Sequence, residues 1–425
     1  MKHEHSNLLR RVKAEEVERA TAAVLDAETI EQTRAIVLDV RTRGTEAVRE
    51  HAHRFGERTP EQPLVLGRDA MDRALASLPP DDRSAMEHAA ARIDAFARAQ
   101  RGALQPATVP IPGGEAGHTI VPIESAGCYA PAGRHPLPSS VLMTSIPARV
   151  GGCARVVVAS PGAQPAVLAA AAVAGADELL AVGGAHAIAA LAFGFEGFAP
   201  CDFIAGPGNR WVTAAKHIVS ASVGIDMLAG PSELLIIADD TADPEFVAAD
   251  LLAQAEHDTD ASAMLISTSA TLIDAVEQAL AAQLESLETR DVARVGLSNG
   301  FACHVDTIDR AIDTADRIAA EHLEIMTRDA EAVAHRVRHA GAVFIGGGAA
   351  EALGDYGAGP NHTLPTGGAA RCGAGLSVLD FVRVRTWMRI DDPAAARDLC
   401  DETARLARME GLAAHAVSAR LRSHA

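Results

Sequence analysis

A short segment, residues 354–366, gathers side chains that can do acid–base or metal chemistry. It holds a carboxylate at Asp355, an amide at Asn361 and an imidazole at His362, interspersed with glycine and proline. Because glycine and proline disfavour helices and central strands, this composition predicts an ordered loop. Loops of this kind often carry binding or catalytic groups on a rigid scaffold.

A second pair of such side chains, Gln254 and His257, lies at the end of a predicted helix. Asp243 can cap the start of this helix, and Pro244 suits its first turn. Because Gln254 and His257 are three residues apart, they share one side of the helix near its carboxyl end. There the imidazole could bind a metal ion, or it could complement the helix dipole as a surface residue. The spacing alone favours the dipole role.

Two further clusters pair an acid with a histidine. Glu321 and His322 lie between a predicted helix and a predicted strand, where a bend could turn both side chains into one cleft. A glutamate and a histidine are a common general acid/base pair, and burial can tune both towards neutral pH. A solvated surface pair explains the two residues equally well. Glu410 and His415 form the other cluster, near the carboxyl terminus.

Two tight turns could contact a ligand. Residues 206–209, Gly-Pro-Gly-Asn, follow a predicted strand and open a helix, so their backbone N–H groups could hold a phosphate. The turn lacks the G-x-G-x-x-G spacing of the usual dinucleotide fingerprint. Residues 229–233 form a second turn and offer the hydroxyl of Ser232. Ordinary loop punctuation would account for both turns as well as ligand binding does.

Composition limits the classes of protein that need to be considered. A chain of 425 residues should form more than one domain, and a net charge of -18 argues against nucleic acid or an anionic membrane as partner. The polar start, without an apolar stretch, predicts no targeting segment, and no apolar run is suited to span a membrane. The six cysteines are scattered without a Cys-x-x-Cys motif, which indicates free thiols in a reducing cytoplasm.

Strands and helices are predicted to alternate through the middle of the chain. Apolar, β-branched runs at residues 155–159, 178–182, 202–205, 234–238 and 263–267 are typical of buried strands, and Ala-rich helical stretches separate them. This alternation predicts an α/β fold with doubly wound parallel sheets, and two such sheets fit the length. The chain to about Leu104 reads as helical, residues 105–121 as a connector or irregular strands, and a helical tail begins near Pro393. No internal repeat is visible.

Ordered sequence blocks make the chain resemble the histidinol dehydrogenase family. The blocks follow the family's order, cover nearly the whole chain, and fall at residues 127–133, 138–143, 206–209, 225–227, 229–233, 254–257, 321–325, 354–366 and 410–415. This resemblance is far more specific than any single motif. It implies two Rossmann-like domains with small helical segments at both termini, the carboxyl-terminal one swapped between the subunits of a homodimer. The expected division is a helical segment at 1–25, one α/β domain from 26–130 and 233–366, a second from 131–232, and a tail from 367–425.

The resemblance also implies an activity and a set of site residues. The family carries out a four-electron oxidation of L-histidinol to L-histidine, through histidinal, with two NAD and one zinc ion per subunit. The implied metal ligands are Gln254, His257, Asp355 and His415, and the implied acid/base pair is Glu321 and His322. The implied cofactor contacts are Tyr129, His186 and Asn209. The implied substrate contacts are Ser232, Gln254, His257, His322, Asp355, His362, Glu410 and His415.

The chemistry of these residue types agrees with the implied roles. Two imidazoles, a carboxylate and an amide oxygen are acceptable ligands for zinc. Because zinc has no redox chemistry, hydride must pass to a separate carrier such as NAD. Shared active sites would then require the tail of one subunit to reach the other.

Four departures from the family pattern leave a second substrate class open. His186 stands where the family usually has Gln, Ala132 where it has Gly, and His135 where it has a smaller residue. Arg385 adds a cation that could suit a sulfonate or carboxylate. A related enzyme that oxidises another primary alcohol, such as an amino alcohol or an anionic diol, is therefore the alternative. Glu410 favours a substrate with an amine, because a carboxylate pairs with a cation.

Overall fold

The computed structural model describes residues 8–19, 25–132 and 136–423. Its strands are β1 (Arg10–Val12), β2 (Val65–Gly67), β3 (Ala107–Ile111), β4 (Gly114–Pro122), β5 (Ser125–Tyr129), β6 (Arg155–Ala159), β7 (Glu178–Leu180), β8 (Phe203–Ala205), β9 (Gly224–Ile225), β10 (Glu233–Ala238), β11 (Ser262–Ser267), β12 (Phe301–His304), β13 (His322–Met326), β14 (Ala342–Ile345) and β15 (Val382–Ile390). The strands predicted in the middle of the chain correspond to β6, β7, β8, β10 and β11, and this prediction is confirmed.

Helices connect most of the strands. They are α1 (Ala27–Arg43), α2 (Thr45–Arg54), α3 (Arg68–Ser77), α4 (Pro80–Ala103), α5 (Pro138–Gly151), α6 (Pro165–Val173), α7 (Gly184–Phe193), α8 (Arg210–Val219), α9 (Pro244–Ala255), α10 (Ala270–Ser286), α11 (Arg290–Asn299), α12 (Ile308–Ile318), α13 (Ala330–Ala334), α14 (Glu351–Tyr356), α15 (Arg397–Met409) and α16 (Ala413–Ser423). Short 3-10 turns occur at Ala14–Glu16, Pro161–Ala163, Ala369–Arg371 and Val378–Phe381.

Two six-stranded sheets form the body of the molecule. Sheet 1 has the order β2-β7-β6-β5-β8-β9, and all its neighbouring strands are parallel except β2, which runs antiparallel to β7. Sheet 2 has the order β1-β12-β11-β10-β13-β14 and is parallel throughout. The prediction of an α/β fold with parallel sheets is therefore confirmed.

The two sheets share one winding pattern. In each, the starting strand (β5 or β10) is followed on one side by the next two strands of the chain, and the two strands after those lie on its other side. The chain therefore reverses direction between β5 and β8 in sheet 1, and between β10 and β13 in sheet 2. In doubly wound folds such a switch point opens a crevice at the carboxyl ends of the strands. This repeat is topological and was not visible in the sequence.

Burial on both faces explains the near-continuous apolar strands. Leu234, Leu235, Ile236 and Ile237 of β10 are completely buried, and so are the three valines of β6. Helices cover both faces of each sheet, so only the first residues of these two strands, Arg155 and Glu233, are partly exposed. Packing in these cores fixes the positions of the strand ends, where the polar residues lie.

The strand pairing corrects the expected division of the chain. Residues 26–130 were expected to join 233–366, but β5 is the central strand of sheet 1, between β6 and β8. The amino-terminal segment, expected to be helical, contributes β1 to sheet 2 through pairing with β12. Sequence alone could not reveal these pairings because an isolated strand carries no record of its neighbours.

A third, antiparallel sheet links the body to the carboxyl-terminal helices. Its order is β15-β4-β3, and β15 pairs along its whole length with β4. The segment predicted as a connector or irregular strands is a regular hairpin of β3 and β4, and α15 starts at Arg397, slightly later than predicted. All six cysteines are free thiols. Among the described helices, none is both long and apolar enough to cross a membrane.

Candidate active site

Glu321 and His322 lie together at the start of β13. The chain leaves α12 through Ala319, whose left-handed backbone (φ 55°) turns it sharply towards the sheet. Both side chains are buried, and Glu321 Oε2 lies 3.7 Å from His322 Nδ1. The predicted bend is therefore present, and it places the two side chains next to each other in the protein interior.

The surroundings of His322 define which nitrogen is available. Nδ1 lies 3.2 Å from the Glu233 carbonyl oxygen, to which it can donate a hydrogen bond. Nε2 is buried and has no hydrogen-bond partner among the described residues. Burial lowers the pKa of His322 to about 4, so the ring is neutral at physiological pH. An Nδ1–H tautomer leaves the lone pair of Nε2 free to accept a proton.

Glu321 differs from His322 in its hydrogen bonds and in the direction of its pKa shift. Its Oε2 accepts the backbone N–H of Glu233 at 3.0 Å. Burial raises the pKa of Glu321 well above its ordinary value, while hydrogen bonds from Glu233 and the Ser232 side chain oppose that shift. Ser232, predicted to contact substrate, therefore lies beside the acid.

The helix α9 places Gln254 and His257 as predicted. Asp243 caps it by accepting the Glu245 N–H, and Pro244 occupies its first turn. Gln254 is fully buried, yet neither atom of its amide has a hydrogen-bond partner in the described chain. His257 lies just past the helix end, where its Nδ1 is 2.8 Å from the Ala253 carbonyl oxygen. The imidazole thus does complement the helix end, but only with one of its nitrogens.

Asp355 faces the other nitrogen of His257. Asp355 Oδ2 is 3.3 Å from His257 Nε2, and Asp355 Oδ1 is 3.9 Å from His322 Nε2. Its contact with His257 keeps the pKa of Asp355 below the ordinary value despite burial. The same contact raises the pKa of His257. A cation bound between the ionised carboxylate of Asp355 and the imidazole nitrogen of His257 would interact favourably with both groups.

The segment around Asp355 differs in part from the predicted loop. Asp355 belongs to the last turn of α14, which ends at Gly357 with φ 136°. Gly354 lies within this helix and packs against the Phe344 ring. A Cβ at this position would lie 2.6 Å from the ring, so a larger residue would not fit. The prediction of a loop was therefore wrong for residues 354–356, since close packing against an aromatic ring, and not flexibility, requires the glycine.

His362 closes one side of the cleft. Its Nδ1 lies 2.9 Å from the Asp355 carbonyl oxygen, and its Nε2 lies 3.4 Å from the Ser140 hydroxyl. Burial lowers the pKa of His362, so it too is neutral at physiological pH. A cavity of about 320 Å³ opens beside His322, Asp355 and His362, with Phe344 in its apolar wall.

Sequence analysis missed a group of buried acids behind this cleft. Glu351 Oε1 lies 3.2 Å from His322 Nδ1, and neither carboxylate oxygen has a hydrogen-bond partner in the described residues. Burial raises the pKa of Glu351 well above its ordinary value. Glu324 accepts the Glu351 N–H at 2.7 Å, and burial raises its pKa to about 9. The alternation in His-Leu-Glu-Ile was a usable signal, because it places Glu324 on the same face of β13 as His322.

Two sets of residues could hold a metal ion. His322, Glu351 and Asp355 offer ligand atoms within 4.8 Å of one another. The predicted set shares Asp355 and adds His257 and the unpartnered amide of Gln254. Of the two sets, only the second contains the buried amide of Gln254, whose oxygen and nitrogen have no hydrogen-bond partner among the described residues.

A second group of predicted residues lies at the switch point of sheet 1. Tyr129 ends β5, and its hydroxyl accepts the Gly184 N–H at 3.0 Å. Gly206 follows β8 with φ 130°, and a Cβ there would overlap the Tyr129 carbonyl oxygen. Asn209 caps α8 by accepting the N–H groups of Trp211 and Val212, which leaves its amide N–H groups for other partners. The open amino end of α8 and this glycine turn form a cradle suited to a phosphate.

A buried ion pair fixes the glycine turn. Lys216 and Asp226 are paired, and both side chains are almost completely buried. Lys216 Nζ donates to the Gly206 carbonyl oxygen at 3.0 Å, and Asp226 accepts the Gly206 N–H at 2.7 Å. The ion pair therefore binds both the carbonyl oxygen and the N–H of Gly206, the residue that lies against Tyr129.

His186 occupies a different setting from the one implied by sequence. It is 1% exposed, and its Nε2 lies 2.9 Å from Glu57 Oε2. The same Glu57 carboxylate accepts the Gly183 N–H at the start of α7. Because the ring is sealed in the protein, His186 is placed to orient Glu57.

The remaining predicted residues lie apart from the cleft. Glu410 and His415 are exposed on the α15–α16 hairpin, and they take no part in the hydrogen bonds described here for His257, Asp355 and His322. Arg385 is exposed on β15, opposite Thr119 of β4. Ala132 forms an isolated bridge with Pro136, and His135 lies outside the described residues.

Comparison with known proteins gives a consistent result. The sequence model of the histidinol dehydrogenase family matches residues 19–423. A histidinol dehydrogenase of Cereibacter sphaeroides is 46% identical over 394 residues, covering 91% of this chain and 90% of that protein. One from Rhodopseudomonas palustris is 45% identical, covering 96% of this chain and 94% of the relative. The crystal structure of histidinol dehydrogenase from Elizabethkingia anophelis superimposes with a TM-score of 0.91 at 31% identity, covering 98% of each chain.

Proposed function

The chain belongs to the histidinol dehydrogenase family, and we propose that it oxidises L-histidinol to L-histidine through histidinal with two molecules of NAD. The observation that carries the proposal is Nε2 of His322, which has no hydrogen-bond partner in the described part of the chain and lies 3.9 Å from Asp355, the residue that pairs with His257. A free base next to a candidate metal site is the arrangement that oxidation of a chelating alcohol requires.

The residues fit a zinc ion. The fully buried amide of Gln254 lacks a partner in the described chain, and Asp355 is ionised opposite an imidazole nitrogen. Gln254, His257 and Asp355 would hold the ion, with His415 from a second copy of the chain as the fourth ligand. When bound, zinc would orient the substrate's amine and imidazole and polarise its reacting carbon–oxygen bond.

His322 accounts for the first oxidation. Its Nε2 would accept the alcohol proton as the carbinol carbon gives up a hydride, for which bound NAD would be the acceptor, and the aldehyde would result. The Glu233 carbonyl oxygen fixes the ring tautomer, so the lone pair stays directed into the cleft. Burial excludes water that would otherwise hydrogen-bond to this nitrogen.

Glu321 accounts for the hydration of the aldehyde. A carboxyl group with a raised pKa is a stronger base once ionised, and it retains a proton closer to neutral pH. Once ionised, it would take a proton from the attacking water while the protonated His322 returns its proton to the aldehyde oxygen, which gives the hydrated aldehyde and a neutral imidazole. Transfer of a hydroxyl proton to His322 and loss of a second hydride, for which bound NAD would again be the acceptor, would then give the carboxylic acid.

The switch point of sheet 1 fits the dinucleotide. Tyr129, Gly206 and Asn209 meet there, and the close approach of Gly206 to the Tyr129 carbonyl leaves no room for a side chain. Bound NAD would supply the hydride acceptor. The protein contributes the backbone N–H groups of the α8 terminus and the amide of Asn209.

A homodimer with shared sites is part of the proposal. Leu406, Met409 and Leu421 on the α15–α16 hairpin are 60%, 82% and 69% exposed, which is unusual for such large apolar side chains. The cleft rim is likewise apolar, with Leu353 58% and Tyr356 66% exposed. Docking of one copy's hairpin on the other's rim would cover both surfaces.

The activity test uses the purified, zinc-loaded protein and L-histidinol. We expect two NADH and one histidine per substrate, with kcat lowered roughly 10²- to 10⁴-fold in His322→Ala. His335→Ala is the matched control, because that histidine is 80% exposed on the surface. Protein that binds zinc and NADH but forms no NADH from histidinol would refute the assigned substrate and favour another primary alcohol.

Subunit complementation tests the shared site. His322→Ala and His415→Ala are each expected to be inactive. After joint unfolding and refolding in equal amounts, the mixture should regain about a quarter of the wild-type activity, because half the dimers hold one intact site of two. Failure of a dimeric mixture to regain activity would contradict sharing.

A further inference from the structure

Glu57 places a carboxylate at the carboxyl edge of sheet 1. It follows α2, and its side chain is 12% exposed. The carboxylate accepts the Gly183 N–H at 3.1 Å and lies 2.9 Å from His186 Nε2. These two donors hold it in position and stabilise its negative charge.

The surroundings of Glu57 are those of a ribose-binding acid. In doubly wound dinucleotide folds, an acid near the end of the second strand binds the ribose hydroxyls of NAD. Here the second strand, β6, is followed by Ser160, Pro161 and a glycine, none of which is acidic. Gly183 packs directly on Pro161, where a Cβ on Gly183 would overlap the proline ring. Glu57, which lies in the segment after α2 and not in a strand, therefore provides the carboxylate that is missing at the end of β6.

The position is continuous with the switch point. Gly184, next to the residue that Glu57 binds, donates its N–H to the Tyr129 hydroxyl at 3.0 Å. Two protein oxygens thus occupy the N–H groups of Gly183 and Gly184 at the start of α7, so neither of these two donors is available to a phosphate. The neighbouring Arg58 donates its Nε–H to the Ala181 carbonyl oxygen at 3.3 Å, and its buried Nη2 has no hydrogen-bond partner among the described residues.

We propose that Glu57 selects NAD over NADP, by accepting a hydrogen bond from the adenosine ribose and repelling a 2′-phosphate. His186 acts as a positioning residue that holds the carboxylate. This inference rests on the proposed function only in that the chain binds a dinucleotide. The two donors leave lone pairs on both oxygens of Glu57, which can accept a ribose hydroxyl.

Binding of reduced dinucleotides, followed by fluorescence or calorimetry, tests the proposal without turnover. Wild-type protein should bind NADH at least ten-fold more tightly than NADPH. Glu57→Gln removes the charge and keeps the size, so the ratio should shift towards NADPH by roughly ten- to a hundred-fold. Glu61→Gln, an exposed change in the same loop, should leave the ratio unchanged.

Two results would overturn the proposal. One is equal affinity of the wild type for both dinucleotides, and the other is equal weakening of both in Glu57→Gln, which is what a structural role predicts. If the variant does not fold, NADH lacking the adenosine 2′-hydroxyl answers the question, because the wild type should bind it about ten-fold more weakly. Normal NADH selectivity without histidinol oxidation would refute the proposed function and leave this inference intact.

Discussion

The buried amide of Gln254 leads to a prediction about stability in the absence of metal. Gln254 is 0% exposed, and neither its Oε1 nor its Nε2 has a hydrogen-bond partner in the described chain. A buried polar group without a partner costs about 1–3 kcal/mol. Gln254→Met keeps the length of the side chain and removes both groups. It should therefore raise the free energy of unfolding of the metal-free protein by about 2 kcal/mol or more.

Zinc should make the wild-type protein more stable than Gln254→Met, the reverse of the order expected without metal. A ligand that binds only the folded state adds about 4 kcal/mol when its concentration is a thousand times Kd. Wild-type protein should gain this stabilisation, whereas Gln254→Met, which lacks the amide oxygen, should gain much less. The variant is thus expected to be more stable without zinc and less stable with it.

Thermal unfolding of EDTA-treated and zinc-loaded protein measures both effects. A gain of 2 kcal/mol corresponds to roughly 4–8 °C in the midpoint of a unit of 150–250 residues. The matched control is Gln278→Met on the exposed face of α10, which should change stability by no more than about 0.5 kcal/mol. If the metal-free variant is less stable than the wild type, or if both gain equally from zinc, the assignment of Gln254 as a metal ligand is wrong.

Three further changes test the packing and charges around the two sites. Gly354→Ala, whose Cβ would lie 2.6 Å from the Phe344 ring, should destabilise the fold by about 1–3 kcal/mol and lower the zinc content measured by atomic absorption. Burial raises the pKa of Glu324 from 4.5 to about 9, so the native state binds the extra proton and stability should fall as pH rises between those values. Urea titrations should show that Glu324→Gln flattens this slope, and an unchanged slope would contradict the pKa shift. Lys216→Met leaves the buried Asp226 charge unpaired, which should cost about 3–5 kcal/mol in calorimetry, and the double change Lys216→Met/Asp226→Leu should cost less.

Local signals in the sequence were sufficient for most elements. The strands β6, β10 and β11 were predictable because helices cover both faces of each sheet, and continuous apolar runs follow from that burial. The helix α9 was predictable from its Asp243 cap and Pro244 start, which are properties of neighbouring residues. The side-by-side placement of Gln254 and His257 followed from helical periodicity alone.

The same local reasoning failed where a distant residue decides the structure. Gly354 reads as a loop residue, yet it lies in a helix because the Phe344 ring leaves no space for a side chain. Glu351 carries no sequence signal for its position behind His322. Its role depends on how α14 packs against β13, and no spacing along the chain encodes that contact.

The sequence by itself determined the family and the α/β layers, and it supplied the candidate residues for binding a metal ion or moving a proton. Those follow from residue types, short-range periodicity and the order of the motif blocks. Only the tertiary structure decided that β5 belongs between β6 and β8, that His322 offers Nε2, and that His186 faces Glu57. The physical reason is that strand partners, tautomers and buried charge pairs depend on groups far apart in the chain, which folding alone brings within hydrogen-bonding distance.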